Sequence, residues 1–297
     1  MSRRHRRRLS KKERKSRALA LGIVVVLAFV YTNIKLILDI LKFIFLVIAI
    51  LFVLYIFAKK NTILSPEVNG KIIAFIDFIN PFGRKERAYK KTEYYKQTHL
   101  SYKEMKSDVG RVGEYKIFNM LNSASDNKKF IFNCYLPKDD EETTEVDVIM
   151  IHNSGVYVFE SKNYSGWIFG TDNHIMWTQT LPVGRNRSQK FNFYNPVMQN
   201  DLHIKWLSRY LNDSNIKYHS YIVFGENCDL RDITVTSNNH YILRINELVS
   251  SISKAFNSNK NNFSDEQINE IYEKLYPLTQ VSEEIKNKHI ENISQNY

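Results

Sequence analysis

The stretch that most constrains the fold is Thr144–Gly170, which reads TEVDVIMIHNSGVYVFESKNYSGWIFG. It predicts two β-strands that fold back on each other as a hairpin. With the turn at residues 153–154, Asp147 lies directly opposite Glu160, and with the turn one residue later it lies opposite Lys162. Because strand side chains alternate between faces, Glu160 and Lys162 share one face. Both registers therefore bring two carboxylates and a lysine together at the open end of the hairpin.

A third acid comes from the segment before the hairpin. Residues 102–122 predict a helix, and Glu114 lies on its otherwise apolar face. Gly110 and Gly113 stand in the same segment, where glycine costs helix stability, so we expect a helix start or a close backbone approach there. Glu114 is then either directed into a site beneath the helix or paired with a basic neighbour at the rim of the apolar face.

The three acids and the lysine predict a site for a divalent cation, Mg²⁺ or Mn²⁺. Buried like charges are costly without a cation, and these ions prefer carboxylate oxygens while keeping several waters. We expect Asp147, Glu160 and Glu114 to bind the metal. A metal-bound water can attack a phosphodiester, and Lys162 would orient that water or neutralise the developing charge. The alternative is an exposed strand on which Glu160 and Lys162 form an ordinary ion pair.

Other kinds of site are less favoured. His203 lies on a predicted helix with Trp206 and is interpreted as structural, as is His152 in the hairpin turn. The sequence contains no phosphate-binding loop of the GxGxxG or GxxxxGK[ST] type, so no nucleotide cofactor is expected. Cys134 and Cys228 are too few for a disulfide framework and fit a reducing compartment.

Positive charge is concentrated at the N-terminus. The 297-residue chain has a net charge of +11, but residues 1–17 contain ten Lys or Arg and one Glu, which gives +9 and leaves +2 for the rest. The folded part is therefore close to neutral. The high overall charge is a property of the tail and does not by itself indicate nucleic-acid binding.

An apolar block follows the basic tail and predicts membrane insertion. Ala18–Thr32 and Phe43–Ala58 are almost uninterrupted apolar runs, separated by a segment with four polar residues. Each run would measure roughly 24 Å as a helix, and extension toward the polar segment would match a hydrocarbon core of about 30 Å. Basic residues flank both ends of the block, so the positive-inside rule favours two transmembrane helices with both ends in the cytoplasm. A single span near residues 40–58, with the large domain outside, is the alternative.

The composition divides the chain into five parts. Residues 1–17 form a basic cytoplasmic tail that contacts membrane lipid, and residues 18–58 a transmembrane helical hairpin. Residues 59–100 are a linker with a short amphipathic segment, residues 101–250 the main domain, and residues 251–297 a C-terminal helical extension. The main domain reads helix, three strands, helix, strand, which predicts an α/β fold with a mixed sheet.

Five blocks of the main domain resemble the nuclease-related domain family, NERD, which belongs to the PD-(D/E)xK nuclease superfamily. In the order of that family they are GRVGE (110–114), EVDVIMI (145–151), GVYVFESKNYSGWIFG (155–170), Trp177 and NPVMQN (195–200). The resemblance covers residues 105–225. It implies a restriction-endonuclease-like αβββαβ core and Mg²⁺-dependent hydrolysis of DNA.

The resemblance also implies roles for individual residues. Asp147 and Glu160 correspond to metal ligands, Glu114 to the helix acid and Lys162 to the catalytic lysine. Gln199 resembles the glutamine that follows the core motif in RecB-like nucleases. Those enzymes continue to a tyrosine four residues later, where this chain has His203, and many members of the family have a histidine where this chain has Val148.

The DNA contacts are predicted from a basic loop and two aromatic residues. Basic side chains would bind the phosphate backbone, and aromatic rings would stack on bases. Together with Gln199, the predicted substrate contacts are Tyr164, Trp167, Arg185, Arg187 and Lys190. The alternative function is a non-catalytic, membrane-tethered module that binds nucleic acid or protein and retains the nuclease fold, an alternative that the near-neutral charge of the domain favours.

Overall fold

The computed structural model describes most of the chain in seven ranges, which are 11–59, 81–123, 127–139, 142–184, 187–237, 239–258 and 263–296. The chain divides into two compact units, one up to Arg84 and one from Lys85 onward. The second unit therefore begins earlier than the predicted start of the main domain at residue 101.

The first unit contains one long helix, α1 (Lys11–Lys59). Its segment Phe29–Val53 is long and apolar enough to cross a membrane, and it is the one such helix among the described residues. The predicted pair of helices is not confirmed, because α1 continues unbroken through the polar segment. The Asn33 amide donates to a carbonyl one turn earlier (2.8 Å), and Lys42 pairs with Asp39 (3.5 Å), so these polar side chains are accommodated along the helix.

The second unit is built on a mixed five-stranded sheet. Its strands lie in the order β1-β2-β3-β7-β9, with β1, β2 and β3 antiparallel and β3, β7 and β9 parallel. They are β1 (Lys128–Pro137), β2 (Thr143–His152), β3 (Gly155–Lys162), β7 (Tyr218–Phe224) and β9 (His240–Arg244). The mixed α/β class is confirmed.

The register of the central hairpin follows the first of the two predicted alternatives. His152 pairs with Gly155 and Val148 with Phe159, so the turn lies at residues 153–154. The next position along this register places Asp147 opposite Glu160. The two acids therefore lie at the open end of the β2–β3 hairpin.

A second sheet interrupts the predicted order between β3 and the next helix. Its strands lie in the order β6-β5-β4-β8 and are β4 (Gly166–Thr171), β5 (Met176–Pro182), β6 (Ser188–Tyr194) and β8 (Cys228–Thr234). Strands β6 and β8 were not predicted. Trp177 of β5 stacks on Phe224 of β7, with ring centroids 6.3 Å apart and planes 2° apart, and this contact joins the two sheets.

Helices cover both faces of the first sheet. On one face, α5 (Val109–Leu121) packs against Val148 and Met150, and on the other, α6 (Pro196–Leu211) packs against Ile149 and Ile151. The remaining helices are α2 (Pro81–Tyr89), α3 (Glu93–Thr98), α4 (Tyr102–Ser107), α7 (Leu248–Ser258), α8 (Asp265–Leu275) and α9 (Glu283–Asn296). Helix α8 begins with a capping box formed by Ser264 and Gln267.

Part of the predicted linker is an integral part of the second unit. The Gln97 side chain in α3 donates to the Phe130 carbonyl (2.7 Å) and accepts from the Phe132 amide (3.3 Å). Strand β1 is an edge strand, and this side-chain amide pairs with two of its backbone groups. The segment from Lys85 to residue 100 therefore closes the edge of the first sheet.

Candidate active site

The centre of the candidate site is Glu160, which is 1% exposed at the end of β3. Its Oε1 lies 2.7 Å from the Lys162 Nζ, and the same ammonium donates to Gln199 Oε1 at 3.0 Å. Strand alternation places Glu160 and Lys162 on the face that α6 covers. The structure thus brings together three of the predicted site residues.

Asp147 joins this group from β2. Its carboxylate accepts a hydrogen bond from the Ser161 backbone amide at 2.8 Å. Burial, together with the charges of Glu160 and Glu114, raises the pKa of Asp147 well above its usual value. Burial lowers the pKa of Lys162, but the carboxylates of Glu160 and Asp147 outweigh that effect and raise it overall, so the ammonium stays charged.

His203 belongs to the same group, and its interpretation as a structural residue missed this contact. The imidazole is buried, and its Nδ1 lies 3.4 Å from the second oxygen of Glu160, Oε2. Burial lowers the pKa of His203, which favours the neutral ring. The signal available in the sequence was its spacing: His203 follows Gln199 by four residues, so both side chains point from one face of α6.

Glu114 lies on the opposite face of the sheet. Its Oε2 accepts a hydrogen bond from the Tyr94 hydroxyl at 2.9 Å. Burial raises the pKa of Glu114 to about 7; the Tyr94 hydrogen bond lowers it in part, and the charge of Glu145 adds to the increase. Of the two predicted positions for Glu114, the structure therefore favours the one beneath the helix over the one at the rim of its apolar face.

The three predicted metal ligands do not form a common cluster. In the ranges that the structure describes, no group of three or more His, Cys, Asp or Glu side chains could hold a metal ion. Glu114 is held on the α5 side by Tyr94, whereas Glu160 is held on the α6 side by Lys162. The prediction that Glu114 binds a metal together with Asp147 and Glu160 stays a prediction, and no cluster of the three carboxylates supports it.

Asp147 and Glu160 still fit a Mg²⁺ or Mn²⁺ ion. Such ions are commonly bound by one or two carboxylates, with water and substrate phosphate completing the coordination shell. The Oε2 atom of Glu160 is buried and has no hydrogen-bond partner in the structure, so it offers a lone pair. The cation would also reduce the repulsion between the two acids.

The sheet is irregular next to Asp147. The β1–β2 ladder omits the pair that Asn133 and Asp147 would form, and Asn133 has a left-handed backbone with φ of 49°. Val146 and Ile149, three residues apart, both pack on the α6 side, so the alternation of β2 breaks between them. The Asn133 amide binds Glu145 at 3.1 Å. Irregularities of this kind often direct side chains at functional sites.

The predicted close approach of a glycine is confirmed at Gly113. A Cβ atom at this position would collide with Ser161 Oγ and lie 3.1 Å from Asn163 Cβ. The Asn163 side chain also donates to the Val109 carbonyl at 3.0 Å. The first turn of α5 therefore rests directly on the strand end that carries Glu160 and Lys162.

Two predicted DNA-contact residues lie on the outer face of the second sheet. Trp167 is opposite Thr180, and Thr180 is opposite Lys190, so these side chains share a face. Trp177 is three residues from Thr180 and occupies the other face, against Phe224. Trp167 and Lys190 thus lie on the same face of the second sheet, two strands apart.

The other predicted contacts are dispersed. Tyr164 is partly buried, with its ring edge against Phe193 at 4.9 Å, and Arg187 is exposed just before β6. Arg185 lies outside the described residues. Sequence reasoning missed Arg231, whose guanidinium lies 4.5 Å from the centre of the Trp167 ring.

Comparison with known families and proteins bears on this site. The family model of NERD, the nuclease-related domain, matches residues 109–225. This part of the chain is therefore similar to the nuclease-related domain. The matched range contains all four residues that meet at the site, Asp147, Glu160, Lys162 and Gln199, as well as Glu114 and His203.

The chain is also similar to one curated protein. An uncharacterized protein of Bacillus anthracis is 27% identical over 189 residues, which cover 63% of this chain and 85% of the relative. No solved structure matches the chain.

Proposed function

We propose that the nuclease-related domain hydrolyses DNA phosphodiester bonds with the help of Mg²⁺ or Mn²⁺. The observation that carries this proposal is the group formed by Asp147, Glu160 and Lys162, in which the Lys162 ammonium lies 2.7 Å from Glu160. Two carboxylates and one ammonium leave one negative charge uncompensated. A divalent cation compensates that charge and leaves an attractive site for a phosphate.

Each residue then has a distinct role. Asp147 and Glu160 would hold the cation, which when bound acidifies a water and offsets negative charge on the phosphate. Lys162 stabilises the charge that develops on the phosphate oxygens during attack, or orients the attacking water. Gln199 holds the ammonium through its 3.0 Å hydrogen bond, so we assign it a positioning role in place of the predicted substrate contact.

The arrangement of the first sheet supports a restriction-endonuclease-like core. Helix α5, the three antiparallel strands β1–β3, helix α6 and the parallel strand β7 follow one another in the order αβββαβ, with the second sheet inserted before α6. The acids stand at the end of β2–β3, where this order would place a PD-(D/E)xK site.

We further propose that the outer face of the second sheet contacts DNA away from the cleaved bond. Trp167, with Arg231 against its ring, offers a stacking surface, and Lys190 and Arg187 offer charges for phosphates. Replacing Trp167 or Lys190 by Ala should then raise KM for DNA and leave kcat nearly unchanged.

The helix α1 would anchor this nuclease to a membrane, with the domain in the cytoplasm. A single span over Phe29–Val53 would bury Lys35, Asp39 and Lys42, and each buried charge costs about 2.5–3.5 kcal/mol in a translocon-type insertion. Two shorter spans would place these residues at the far interface and avoid that cost, but they require α1 to break between Asn33 and Lys42 in a membrane. A reporter that works only in the cytoplasm should be active when it is fused to the C-terminus. Activity of a fused reporter that works only outside the cytoplasm would refute this topology.

A cleavage assay on the full-length chain in detergent tests the enzymatic proposal. Plasmid and single-stranded DNA are incubated with Mg²⁺, with Mn²⁺ or with EDTA, beside the variants Asp147→Asn and Lys162→Gln. We expect metal-dependent cleavage that both variants lose. Lys205→Gln, an exposed lysine change on α6, is the matched control and should cleave like the wild type.

The non-catalytic binding module remains the second candidate, favoured by the near-neutral charge of the folded part. It predicts that the wild-type chain retards DNA on a gel without cutting it in either metal. Loss of retardation in Trp167→Ala, with Lys162→Gln unaffected, would support this module.

A further inference from the structure

Helix α6 contacts both members of the buried ion pair at the site. Gln199 and His203 are one turn apart on the same face of the helix. Gln199 accepts a hydrogen bond from the Lys162 ammonium, and His203 lies beside the Glu160 carboxylate. One rigid element therefore fixes both ends of the pair.

Glu160 and His203 each have a buried polar atom that lacks a hydrogen-bond partner. Within the part of the chain that the structure describes, these atoms are Glu160 Oε2 and His203 Nδ1. They lie 3.4 Å from each other, with side chains 1% and 4% exposed. A buried carboxylate oxygen without a donor is costly, so a proton on Nδ1 directed at Oε2 is the arrangement that this geometry favours.

We propose that His203 is a positioning residue that holds Glu160 through an Nδ1–H···Oε2 hydrogen bond; its link to catalysis rests on the proposed nuclease function. With Oε2 held by the imidazole, Oε1 alone faces Lys162. Without the imidazole, the carboxylate is free to turn both oxygens toward Lys162. The ammonium would then be withdrawn from the phosphate that it has to stabilise.

The position of the ring proton distinguishes this arrangement from simple packing. A neutral imidazole carries its single proton on either nitrogen, and a carboxylate beside Nδ1 selects the Nδ1–H tautomer. The tautomer is therefore a direct readout of the proposed contact.

Two substitutions separate positioning from simple packing. His203→Asn places an amide nitrogen where Nδ1 stands, whereas His203→Leu places a methyl group there. We expect His203→Leu to lower kcat for Mg²⁺-dependent DNA cleavage roughly 10- to 100-fold with little change in KM, and His203→Asn to retain most of the activity. His219→Leu, a change of another buried histidine that stacks on Tyr157, should keep wild-type kcat.

The second measurement does not depend on cleavage. Nitrogen-15 spectra of the histidine-labelled full-length chain, with the His203 signals assigned by their loss in His203→Asn, should show a neutral Nδ1–H ring. An Nε2–H ring, or wild-type kcat in His203→Leu, would overturn the proposal. If the wild-type chain cuts no DNA, the nuclease proposal fails, and the observed tautomer alone decides whether His203 holds Glu160.

Discussion

The Tyr94 hydroxyl donates a 2.9 Å hydrogen bond to Glu114, and both side chains are buried. Tyr94 lies in α3, in a segment predicted as a linker between membrane and domain. Glu114 lies in α5, whose first turn rests on the strand end of the site. The segment before the main domain is thus hydrogen-bonded to an acid whose charge acts on Asp147. A protein truncated at residue 100 would lack this contact and the Gln97 contact to β1.

Tyr94→Phe should destabilise the protein mainly above neutral pH. Burial raises the pKa of Glu114 to about 7, so the carboxylate is largely ionised at pH 8 and protonated at pH 5.5. Removing a donor from a buried, charged acceptor costs about 1.5–3 kcal/mol, and a protonated acid loses less. Thermal melts of the full-length chain at both pH values test this. Tyr95→Phe, in the same helix, is the control, and equal melting temperatures for Tyr94→Phe and wild type at pH 8 would contradict the role of this bond.

Glu114→Gln should change the pH dependence of stability. The folded-state pKa of Glu114 lies above its ordinary 4.5, so the folded form holds the proton more tightly than the unfolded chain. The stability that this proton provides is complete below about 4.5 and is lost as the pH rises through 7. Glutamine does not titrate and can still accept from Tyr94. The melting temperature of Glu114→Gln relative to wild type should therefore rise between pH 5 and pH 8; a constant difference would argue against a raised pKa.

The local features of the site were predictable because they depend on short sequence separations. The turn at residues 153–154 fixes the register of β2 and β3, and alternation then places Asp147, Glu160 and Lys162 at one end. The close approach of Gly113 to the strand was likewise predictable, because glycine is unfavourable inside a helix. These features follow from periodicity and turn geometry alone.

The features that were missed depend on long-range packing. Strand β6 (Ser188–Tyr194) is mostly exposed, and β8 joins the second sheet by pairing with β4, which lies about 60 residues earlier in the chain, as in the pair Gly166–Cys228. The contact between His203 and Glu160 depends on where α6 packs along β3. Packing between distant elements sets that position, and a local sequence pattern does not. The position of Glu114 on the opposite face was hidden for the same reason, since its partner Tyr94 stands 20 residues earlier.

Gly113→Ala should reduce both stability and cleavage. Alanine normally favours a helix over glycine by about 1 kcal/mol, but here the added methyl group collides with Ser161 Oγ. Overpacking of this kind costs about 1–3 kcal/mol and would displace the strand end that carries Lys162. Melting temperature and DNA cleavage are the measurements. Gly110→Ala, which meets only Asp108 at 3.3 Å, is the matched control, and a stabilised, fully active Gly113→Ala would refute the close approach.

Asn195→Asp should loosen the start of α6 even though aspartate is a good helix cap. The Asn195 Oδ1 accepts from the Val197 amide at 2.9 Å, a role that Asp can fill. Its amide nitrogen, however, donates to the carbonyls of Thr171 (3.1 Å), Asp172 (3.2 Å) and His174 (2.8 Å), and a carboxylate oxygen there would face three acceptors.

We expect Asn195→Asp to lose about 1–3 kcal/mol of stability, because a buried carboxylate oxygen would replace the amide donor and face these carbonyl oxygens. The helix start that it releases lies one turn before Gln199, so kcat for DNA cleavage should fall as the Gln199–Lys162 contact weakens. Thermal melts and cleavage assays measure the two effects. Asn192→Asp on the exposed strand β6 keeps its acceptor for Thr178 and should leave both unchanged. Wild-type stability in Asn195→Asp would show that the cap hydrogen bond to Val197, and not the hydrogen bonds to the carbonyls between β4 and β5, fixes this end of α6.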